Sequence, residues 1–547
     1  MSDLSQWKHL KIMLKPHTKK ICVIIFLMLL ISGLNILIPF YQQKIVDDGI
    51  MNNDLYLIIK LLLCIIAIFL LSGIITVIQN YLQADISLQV SQKLEVSIFE
   101  HALNLKYKYI QENGIYKIVK DVDKYVQSIM DLTGGKTIQI FVELFKFVGI
   151  LIALLTLNWK ITVYLLATVP LRVMITKILS NCVKRNSEKS CLIQKFIHRW
   201  EDDIYNSYLQ IKLWNLIEYK TKEYNKLLGE RNKKVKNHFF ITGIDSAIGN
   251  NFMSIIINTL YLICGIFVID NDITVGTMFA FISYSAYLLQ PISLISYLKI
   301  IVSKIKPEFE TYKSFISLEE ENESRQTNEF PKSDKVNMSF KNVSFKYNEK
   351  MIIDQLNIEL QAGDIVAVIG ENGAGKSTFI NLILRLYTPC RGQILINNIN
   401  IDNINIHSYR ENICTVLQTD DLFKGTIEDN ITVYKRYNLP MELLNLNLFS
   451  FINKYHSGID TKIESKSSGV SGGEKQKIAL LRALNKSGRI LVLDEPTSNY
   501  DQESEEEFIK LISELKYDII IIVKYSLQGT TQSRYLTGGV PPVRFSM

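Results

Sequence analysis

The sequence has few of the residues that interrupt or cross-link a chain. Its 547 residues include 11 Pro, 26 Gly and 7 Cys, which excludes collagen-like and disulfide-stapled folds. Histidine is as scarce, with 7 residues and none after His456. A mainly disordered chain is excluded too, because 48% of the residues are hydrophobic and 10% are aromatic.

Charge is missing from four long apolar runs, each at or above the ~20 residues that a helix needs to cross a bilayer. A buried helix of a soluble core is the alternative, but it rarely needs more than about 15 uncharged residues. A weaker apolar hairpin at 147–171 has Asn158-Trp159-Lys160 as an interfacial turn. The four runs and the hairpin together predict six spans. The four runs are Ile21–Lys44, which Lys44 closes, Leu61–Ala84, Ser246–Ile269 and Ile273–Leu298.

Basic residues predict the orientation of these spans. Lysines precede the first span and follow the last one, whereas the turns at 47–54 and 270–272 carry acid without base. Because basic loops stay in the cytoplasm, we expect a multi-pass protein of the cytoplasmic membrane with a cytoplasmic N-terminus. The net charge of +7 is then largely a topology signal. No nucleic-acid partner is expected, since Lys and Arg fall between apolar runs.

Two long stretches without Pro, Asp85–Lys136 and Lys177–Ile241, are predicted to extend membrane helices into the cytoplasm. In the second stretch apolar residues recur at helical spacing, for example at Ile204, Tyr208 and Ile211. Each stretch is either a solvated surface helix or a mechanical contact with the domain that follows. The sequence leaves both interpretations open.

The composition then changes twice. Residues 319–335 are polar and charged, which is typical of a linker, and alternating apolar and β-branched residues follow, which predict an α/β domain. We predict an α-helical transmembrane domain over 1–316, a linker over 317–336, an α/β domain over 337–525, and an atypical tail over 526–547.

One strand–loop–helix unit of the α/β domain carries its chemistry. A buried strand at 364–369 is followed by a glycine-rich loop and an amphipathic helix over Phe379–Tyr387. Glycines let backbone N–H groups face phosphate oxygens, and the helix N-terminus adds a favourable dipole. Lys376 is predicted to reach the β- and γ-phosphates, and Ser377 to offer a hydroxyl to Mg²⁺. We therefore predict that 337–525 is an α/β nucleotide-binding domain of P-loop type, and its predicted loop is Gly370, Glu371, Asn372, Gly373, Ala374, Gly375, Lys376, Ser377 and Thr378.

A second strand, at 489–494, ends in an acidic pair. Asp494 at the strand tip suits Mg²⁺, and Glu495 can polarise the attacking water. For a lone Asp-Glu pair the alternative is a solvated loop. Its place at a strand end, after a phosphate loop, favours catalysis.

Further segments resemble the ATP-binding cassette (ABC) transporter family. They are Val470-Ser-Gly-Gly-Glu474, the following Lys475–Leu484, and Leu-Asp-Glu-Pro-Thr-Ser-Asn-Tyr-Asp at 493–501. The order of spans, cytoplasmic extensions, linker and cassette looks like a bacterial half-exporter with fused membrane and nucleotide domains.

The resemblance implies roles for seven more residues. Tyr347 matches the aromatic that stacks on adenine, with an ordinary strand tyrosine as the alternative. Gln418 matches a glutamine that touches Mg²⁺ and senses the membrane domain, and we expect it to share the catalytic role with Glu495. Asp501 ends a segment that matches the loop crossing the dimer interface. The signature that contacts ATP of the opposite subunit corresponds to Ser471, Gly472, Gly473 and Glu474.

One element of the family pattern is missing. The family expects a strand that ends in Ser-His or Thr-His, but residues 518–523 are followed here by Lys524-Tyr525. The tail after them also departs from the Ile/Asn/Lys-rich composition of the chain before it. A frameshift, an insertion junction or an expression scar near Val523 would explain this, and natural divergence is the alternative.

The leading function is ATP-driven efflux of a peptide, lipid or hydrophobic drug by a dimeric exporter that uses ATP and Mg²⁺. A homodimer is expected, with a heterodimer as the alternative. The rival is an ATP-binding, weakly hydrolysing or degenerate subunit that pairs with an active half-transporter. In the last span, polar residues either line the path or join helices; they are Ser283, Tyr284, Ser285, Tyr287, Gln290 and Pro291.

The predicted orientation can be tested with single cysteines in a cysteine-free background. A cysteine at Asn271, in the acidic turn, is expected to react with an impermeant thiol reagent added outside intact cells. A cysteine at Asn328, in the linker, is the matched control and is expected to stay unlabelled. Labelling at Asn328 instead of Asn271 would reverse the orientation.

Overall fold

The chain divides into two units in a computed structural model that describes residues 2–288, 305–321, 328–371, 373–418, 421–463, 469–524 and 543–544. The first unit joins Met1–Leu103 to Tyr116–Leu318. The second joins Asn104–Ile115 to Glu319–Met547. The short segment Asn104–Ile115 therefore lies in the membrane half of the sequence but belongs to the second unit.

Long helices make up the first unit, as the apolar and helix-rich sequence predicts. Short 3₁₀ and π-helical turns, Lys15–His17 and Ile45–Ile50, flank the second of them. In chain order the helices are α1 (Ser2–Leu14), α2 (Thr18–Lys44), α3 (Leu55–Asn104), α4 (Tyr107–Asn113, in the second unit), α5 (Ile115–Thr133), α6 (Gly135–Leu157), α7 (Trp159–Asn206), α8 (Tyr208–Leu213), α9 (Ile217–Ile269), α10 (Val275–Leu288) and α11 (residues 305–316).

Among the described residues, three helical stretches are long and apolar enough to cross a membrane, judged by length and composition: Lys8–Ile50, Leu55–Asn104 and Asn251–Ile269. They contain or overlap the first three predicted runs. Of the fourth run the structure describes the apolar helix Val275–Leu288, and the remainder, with Gln290 and Pro291, lies outside the described residues. The count of six spans stays a prediction.

The weak apolar hairpin forms a pair of helices joined at Asn158, where its turn is predicted. The Asn158 side chain accepts hydrogen bonds from the backbone N–H groups of Lys160 and Ile161, at 3.0 and 3.3 Å. Such a cap satisfies donors that the first turn of a helix leaves unpaired. The facing sides of this pair pack on α9 and α10 through buried Ile150, Leu154 and Leu165 with their neighbours.

The apolar face predicted around residue 208 is not buried within the first unit. Side chains there are mostly exposed, with Tyr205 at 73%, Tyr208 at 60% and Trp214 at 76%. They lie where α7 ends and the short helix α8 leads to α9. Exposed aromatic side chains grouped in this way are typical of a binding surface.

The second unit is built from one antiparallel and one parallel sheet, with a small two-stranded sheet beside them. The antiparallel sheet has the order β2-β1-β4-β5, the parallel sheet has β11-β3-β10-β9-β6, and β7 pairs with β8. The strands are β1 (Met338–Tyr347), β2 (Lys350–Leu360), β3 (Asp364–Ile369), β4 (Arg391–Ile396), β5 (Ile399–Asn400), β6 (Ile413–Val416), β7 (Gly425–Thr426), β8 (Lys462–Ile463), β9 (Ile490–Asp494), β10 (Ile519–Lys524) and β11 (Val543–Arg544).

Helices cover the parallel sheet: α12 (Lys376–Ile383), α13 (Ile406–Glu411), α14 (Ile427–Thr432), α15 (Met441–Leu444), α16 (Gly472–Asn485) and α17 (Gln502–Glu514). Alternate residues of β10 enter two different cores. Ile521 packs in the core that holds Phe340 and Phe379, and Ile520 packs in the core that holds Leu481. A sheet buried on both faces explains why these strands are continuous apolar runs in the sequence.

The segment Asn104–Ile115 is attached to the start of the linker. Leu105 and Glu320 form an antiparallel bridge, and the Glu321 N–H donates to the Asn104 carbonyl oxygen at 2.8 Å. The Lys106 ammonium lies 2.6 Å from the Glu319 carboxylate. The linker thus pairs with a part of the chain more than two hundred residues before it, which its composition does not reveal.

Candidate nucleotide-binding site

The phosphate loop begins directly after β3 and ends in the first turn of α12. Gly373 and Gly375 have φ angles of +87° and +84°, which residues with a Cβ rarely adopt. At Gly375 a Cβ would also lie 3.0 Å from the Ile352 side chain. These two glycines therefore allow the loop to turn where the sequence predicts. Asn372, which lies between Glu371 and Gly373, is outside the described residues.

Lys376, the first residue of α12, is 9% exposed. Its ammonium donates to the carbonyl oxygens of Gly370 and Glu371, at 2.6 and 3.0 Å, so it already lies inside the loop. Next to it Ser377 is exposed, whereas Thr378 is buried. The helix N-terminus, the ammonium and the Ser377 hydroxyl are groups that can together hold a phosphate with its cation.

The acidic pair stands at the end of β9, one strand away from β3. Burial, together with the neighbouring Glu495 carboxylate, raises the pKa of Asp494 to about 6, and the Lys376 ammonium opposes that rise. A bound cation would stabilise the ionised carboxylate in the same way. Glu495 has a φ of +48°, in the left-handed region, and its N–H donates to the Val523 carbonyl oxygen at 3.0 Å.

Gln418 follows β6 and meets the acidic pair. Its side-chain amide donates to a carboxylate oxygen of Glu495 at 2.9 Å. With the amide in this orientation, the Gln418 carbonyl oxygen is the atom that can face a cation. The two residues expected to share the catalytic role, far apart in sequence, thus lie in contact.

Tyr347 ends β1 in a cluster of aromatic side chains. Its ring lies edge-on to Phe345 and to Tyr387, with centroids 4.9 and 5.3 Å apart. Tyr387 in turn lies edge-on to Tyr107 of α4, at 5.9 Å, and its hydroxyl donates to the Gln111 side-chain oxygen. The ring predicted to stack on adenine is therefore linked through Tyr387 to the segment Asn104–Ile115.

Tyr387 is a residue that the sequence reasoning missed in this role. The predicted helix ends at this tyrosine, but α12 ends at Ile383 because Arg385 adopts a left-handed φ of +53°. The turn brings Tyr387 back beside β1. In the sequence, the aromatic side chain of Tyr387 was the one signal that could have indicated a place beside β1.

The signature segment begins α16 with a capping box. The Ser471 side chain accepts from the Glu474 N–H at 3.3 Å, and the Glu474 carboxylate accepts from the Ser471 N–H at 2.8 Å. Burial raises the pKa of Glu474, but hydrogen bonds from Ser471 and Tyr455 outweigh it and bring that pKa below its usual value. Glu474 thus completes the cap at the start of α16.

Gly473 of the same segment approaches the loop after β9. A Cβ there would lie 2.6 Å from the Asn499 carbonyl oxygen, so only glycine fits. Asp501, two residues further, caps α17 by accepting from the Ser504 N–H at 3.0 Å, and this holds the pKa of Asp501 below its usual value. Within one chain α16 packs against α14 and β6, whereas α12 packs against β2 and β9.

β10 lies between β3 and β9 and ends at Lys524, level with Ile369. The predicted strand is present, and the residue after Val523 stands at the same sheet edge as the phosphate loop. The predicted tail at 526–547 lies outside the described residues apart from Val543–Arg544, which pairs with β3.

No group of three or more His, Cys, Asp or Glu side chains is arranged to hold a metal among the described residues. The donors at the sheet edge nevertheless fit Mg²⁺, which commonly takes one or two carboxylates and completes its shell with water and substrate phosphates. Asp494, Ser377 and Gln418 are of that kind.

Fold and site together define a membrane-embedded transport ATPase of the P-loop class. Residues 21–292 match the family model of the ABC transporter transmembrane region, and residues 353–498 match the family model described as ABC transporter. The chain belongs to the ABC transporters and has the fused organisation of their exporters. Nucleotide binding follows from this membership.

Relatives and solved structures agree with this assignment. The chain is 24% identical over 534 residues to an ATP-dependent lipid A-core flippase of Haemophilus influenzae, covering 95% of this chain and 90% of the relative. It is 26% identical to the ABC transporter ATP-binding protein YfiC of Bacillus subtilis, covering 92% and 85%. A bacterial Atm1-family ABC exporter with ATP bound has the same fold, with a TM-score of 0.78, 19% identity and coverage of 92% and 91%.

The role of Lys376 can be tested by Lys376→Ala. The change removes the ammonium that lies inside the loop, and nucleotide affinity is expected to fall about tenfold or more, ~1.4 kcal/mol, as a lost charged hydrogen bond commonly costs. Binding of a fluorescent ATP analogue measures this. Lys516→Ala, at an exposed lysine of the same unit, is the control. Equal affinities of the two variants would exclude Lys376 from phosphate binding.

Proposed function

We propose that this chain exports a substrate across the cytoplasmic membrane by binding and hydrolysing ATP as one half of a dimer. The contact between Gln418 and Glu495 at 2.9 Å, beside the phosphate loop, carries the proposal. It places a carboxylate that can orient water next to an amide that can follow the cation. In this proposal Asp494, Ser377 and Gln418 hold Mg²⁺, and Tyr347 stacks on adenine.

The need for a partner rests on two surfaces. The signature at Ser471 begins α16, whose first N–H groups suit an anion. Within one chain, however, α16 packs on different elements from α12, the helix that follows the phosphate loop. The exposed aromatic side chains around α8 offer an apolar surface for the second subunit. We propose a second half-transporter as the partner, with an identical chain as the leading choice and a different one as the alternative.

The exported substrate is proposed only by class. Peptides, lipids and hydrophobic drugs all suit apolar spans with few charges. The lipid A-core flippase relatives, at 24% identity, favour a lipid among these. The polar groups of α10 count against a polar path there, since Ser283 and Tyr284 donate to Gln42 and to the Ile36 carbonyl oxygen of α2.

A second candidate is a weakly hydrolysing subunit that assists an active partner. The observation that favours it is Lys524 at the end of β10, in a chain without His after His456. The family's histidine would hold the γ-phosphate and the water in line, and positioning is most of phosphoryl-transfer catalysis. Binding of ATP and closure of the cassettes do not depend on this histidine, because the phosphate loop and the Mg²⁺ donors are present.

Turnover in nanodiscs separates the two candidates. We expect the purified chain alone to hydrolyse ATP well below the ~1–100 s⁻¹ of ordinary phosphoryl-transfer enzymes, with Glu495→Gln as the blank. Lys524→His with a complete family-like final segment is expected to raise the rate. Brisk turnover that Glu495→Gln abolishes would show an independent pump, and co-purification with another half-transporter would favour the assisting subunit.

We propose that the segment Asn104–Ile115 carries the state of the cassette to the membrane helices. Covalently it joins α3 to α5, and it contacts Tyr387, which contacts Tyr347. The segment is also held through Lys106 and Glu319. Of the two interpretations that the sequence leaves open for 85–136, this favours the mechanical contact.

Tyr387→Leu tests this link, because it keeps Tyr347 but removes the ring and hydroxyl that reach α4. Nucleotide affinity is expected to change by less than about threefold. The ATP-induced change in thiol labelling of a cysteine at Ala280, a buried position of α10, is expected to be lost. Tyr434→Leu, at an exposed tyrosine, is the control. A normal ATP response in Tyr387→Leu would contradict the link.

A further inference from the structure

The start of α10 is held by a carboxylate from another helix. Asp47 lies on the π-helical turn Ile45–Ile50 that follows α2. One of its oxygens accepts from the Gly276 N–H at 2.8 Å, and the other accepts from the Thr274 hydroxyl at 2.6 Å. The carboxylate thereby satisfies a backbone donor that the first turn of α10 leaves unpaired, and it faces the positive end of the helix dipole.

Further hydrogen bonds continue this contact along α2 and α10. The Gln43 amide donates to the Thr277 hydroxyl oxygen at 3.0 Å, and the Ser283 hydroxyl donates to the Gln42 side-chain oxygen at 2.9 Å. Deeper still, the Tyr284 hydroxyl donates to the Ile36 carbonyl oxygen at 2.8 Å. We call these contacts, with those of Asp47, the outer seam.

Gly276 permits the close approach at the end of the outer seam. A Cβ at this position would lie 2.5 Å from the Asp47 carboxyl carbon and 2.5 Å from the Gln43 carbonyl oxygen. The π-helix is an uncommon backbone form that is frequently found at functional sites. The sequence predicts an acidic turn over 47–54, and in the structure the first part of this segment is a helical turn that packs on α10.

The outer seam differs in kind from the rest of the packing of α10. Buried apolar side chains, among them Phe281 and Leu288, hold α10 against its neighbours elsewhere. At the outer end the contacts are polar, Asp47 is half-buried and Thr274 is exposed. Water can take over such hydrogen bonds when they break, whereas an apolar contact loses its burial. A contact that has to open and close repeatedly is better made from hydrogen bonds.

We propose that the Asp47 carboxylate and the start of α10 form a latch, which holds the outer ends of α2 and α10 together and releases when the spans open outward. The inference rests on the proposed export cycle and the predicted orientation, since alternating access requires the outer ends to separate. The latch makes Asp47 a positioning residue of the membrane part, without contact to nucleotide.

Thiol labelling at Ala280 tests the latch. Ala280 lies one turn below Gly276 and is buried, so a cysteine there is expected to react slowly with an impermeant reagent added from outside. In a cysteine-free background Asp47→Ala is expected to raise this labelling about tenfold or more without nucleotide. Asp48→Ala, at an exposed acid of the same turn, is the matched control and is expected to leave it unchanged.

Two further variants keep the test decisive if Asp47→Ala does not accumulate in the membrane. Asp47→Asn keeps one acceptor oxygen and Gln43→Ala removes one hydrogen bond, so each is expected to give labelling between the parent and Asp47→Ala. Equal labelling of the Asp47 and Asp48 variants, or parent-like labelling of both weaker variants, would overturn the latch.

An ATP arm separates the latch from the export cycle on which it rests. In a chain that keeps Asp47 and carries Glu495→Gln, ATP is expected to trap the closed cassettes and to raise the thiol labelling of a cysteine at Ala280. If ATP has no effect, the export cycle and with it the releasing role are overturned. If ATP raises the labelling but Asp47→Ala leaves it at the parent level, the latch alone is overturned.

Discussion

Strand β10 holds the nucleotide site together. Its parallel register places Lys524 beside Ile369, where the phosphate loop begins, and Val523 beside Asp494, where the acidic pair begins. The carbonyl oxygen of Val523 also accepts the N–H of Glu495. Because β10 is buried on both faces, its position is fixed by two cores at once. The groups of the candidate site share one sheet edge for this reason.

The candidate site carries charge that a bound cation would offset. Burial and the neighbouring Glu495 carboxylate raise the pKa of Asp494 to about 6. This raised pKa favours a ligand that brings a cation to this edge. Glu495 itself has a left-handed φ of +48°, which costs a non-glycine residue about 1–3 kcal/mol and is sustained by the surrounding contacts.

Local patterns predicted most of the parts and few of their long-range contacts. The turn at Asn158 and the strand before Gly370 are encoded by residues close together in the sequence, so composition and spacing reveal them. The contact of Gln418 with Glu495 was accessible only as a resemblance, because it depends on which strands are neighbours. The number of spans remains a prediction.

Other features could not be predicted because they depend on packing between distant segments. The contact of Tyr387 with α4 follows from the left-handed turn at Arg385, which no periodicity encodes. The helical form of the acidic turn at Asp47 and the contact of its carboxylate with the start of α10 could not be read from composition. In each case a local preference is overridden by a tertiary contact.

The assignment of Asn104–Ile115 to the second unit has a consequence for the synthesis of the chain. Gln111 and its partner Tyr387 are 276 residues apart, so at ~5–20 residues per second the ribosome needs about 14–55 s between them. When synthesis reaches Gln111, α3 is already made, and α5 and the later helices follow while the docking surface of the segment between α3 and α5 does not yet exist. The membrane helices are therefore synthesised before the cassette, and only the finished α/β unit gives the connection between α3 and α5 its final place.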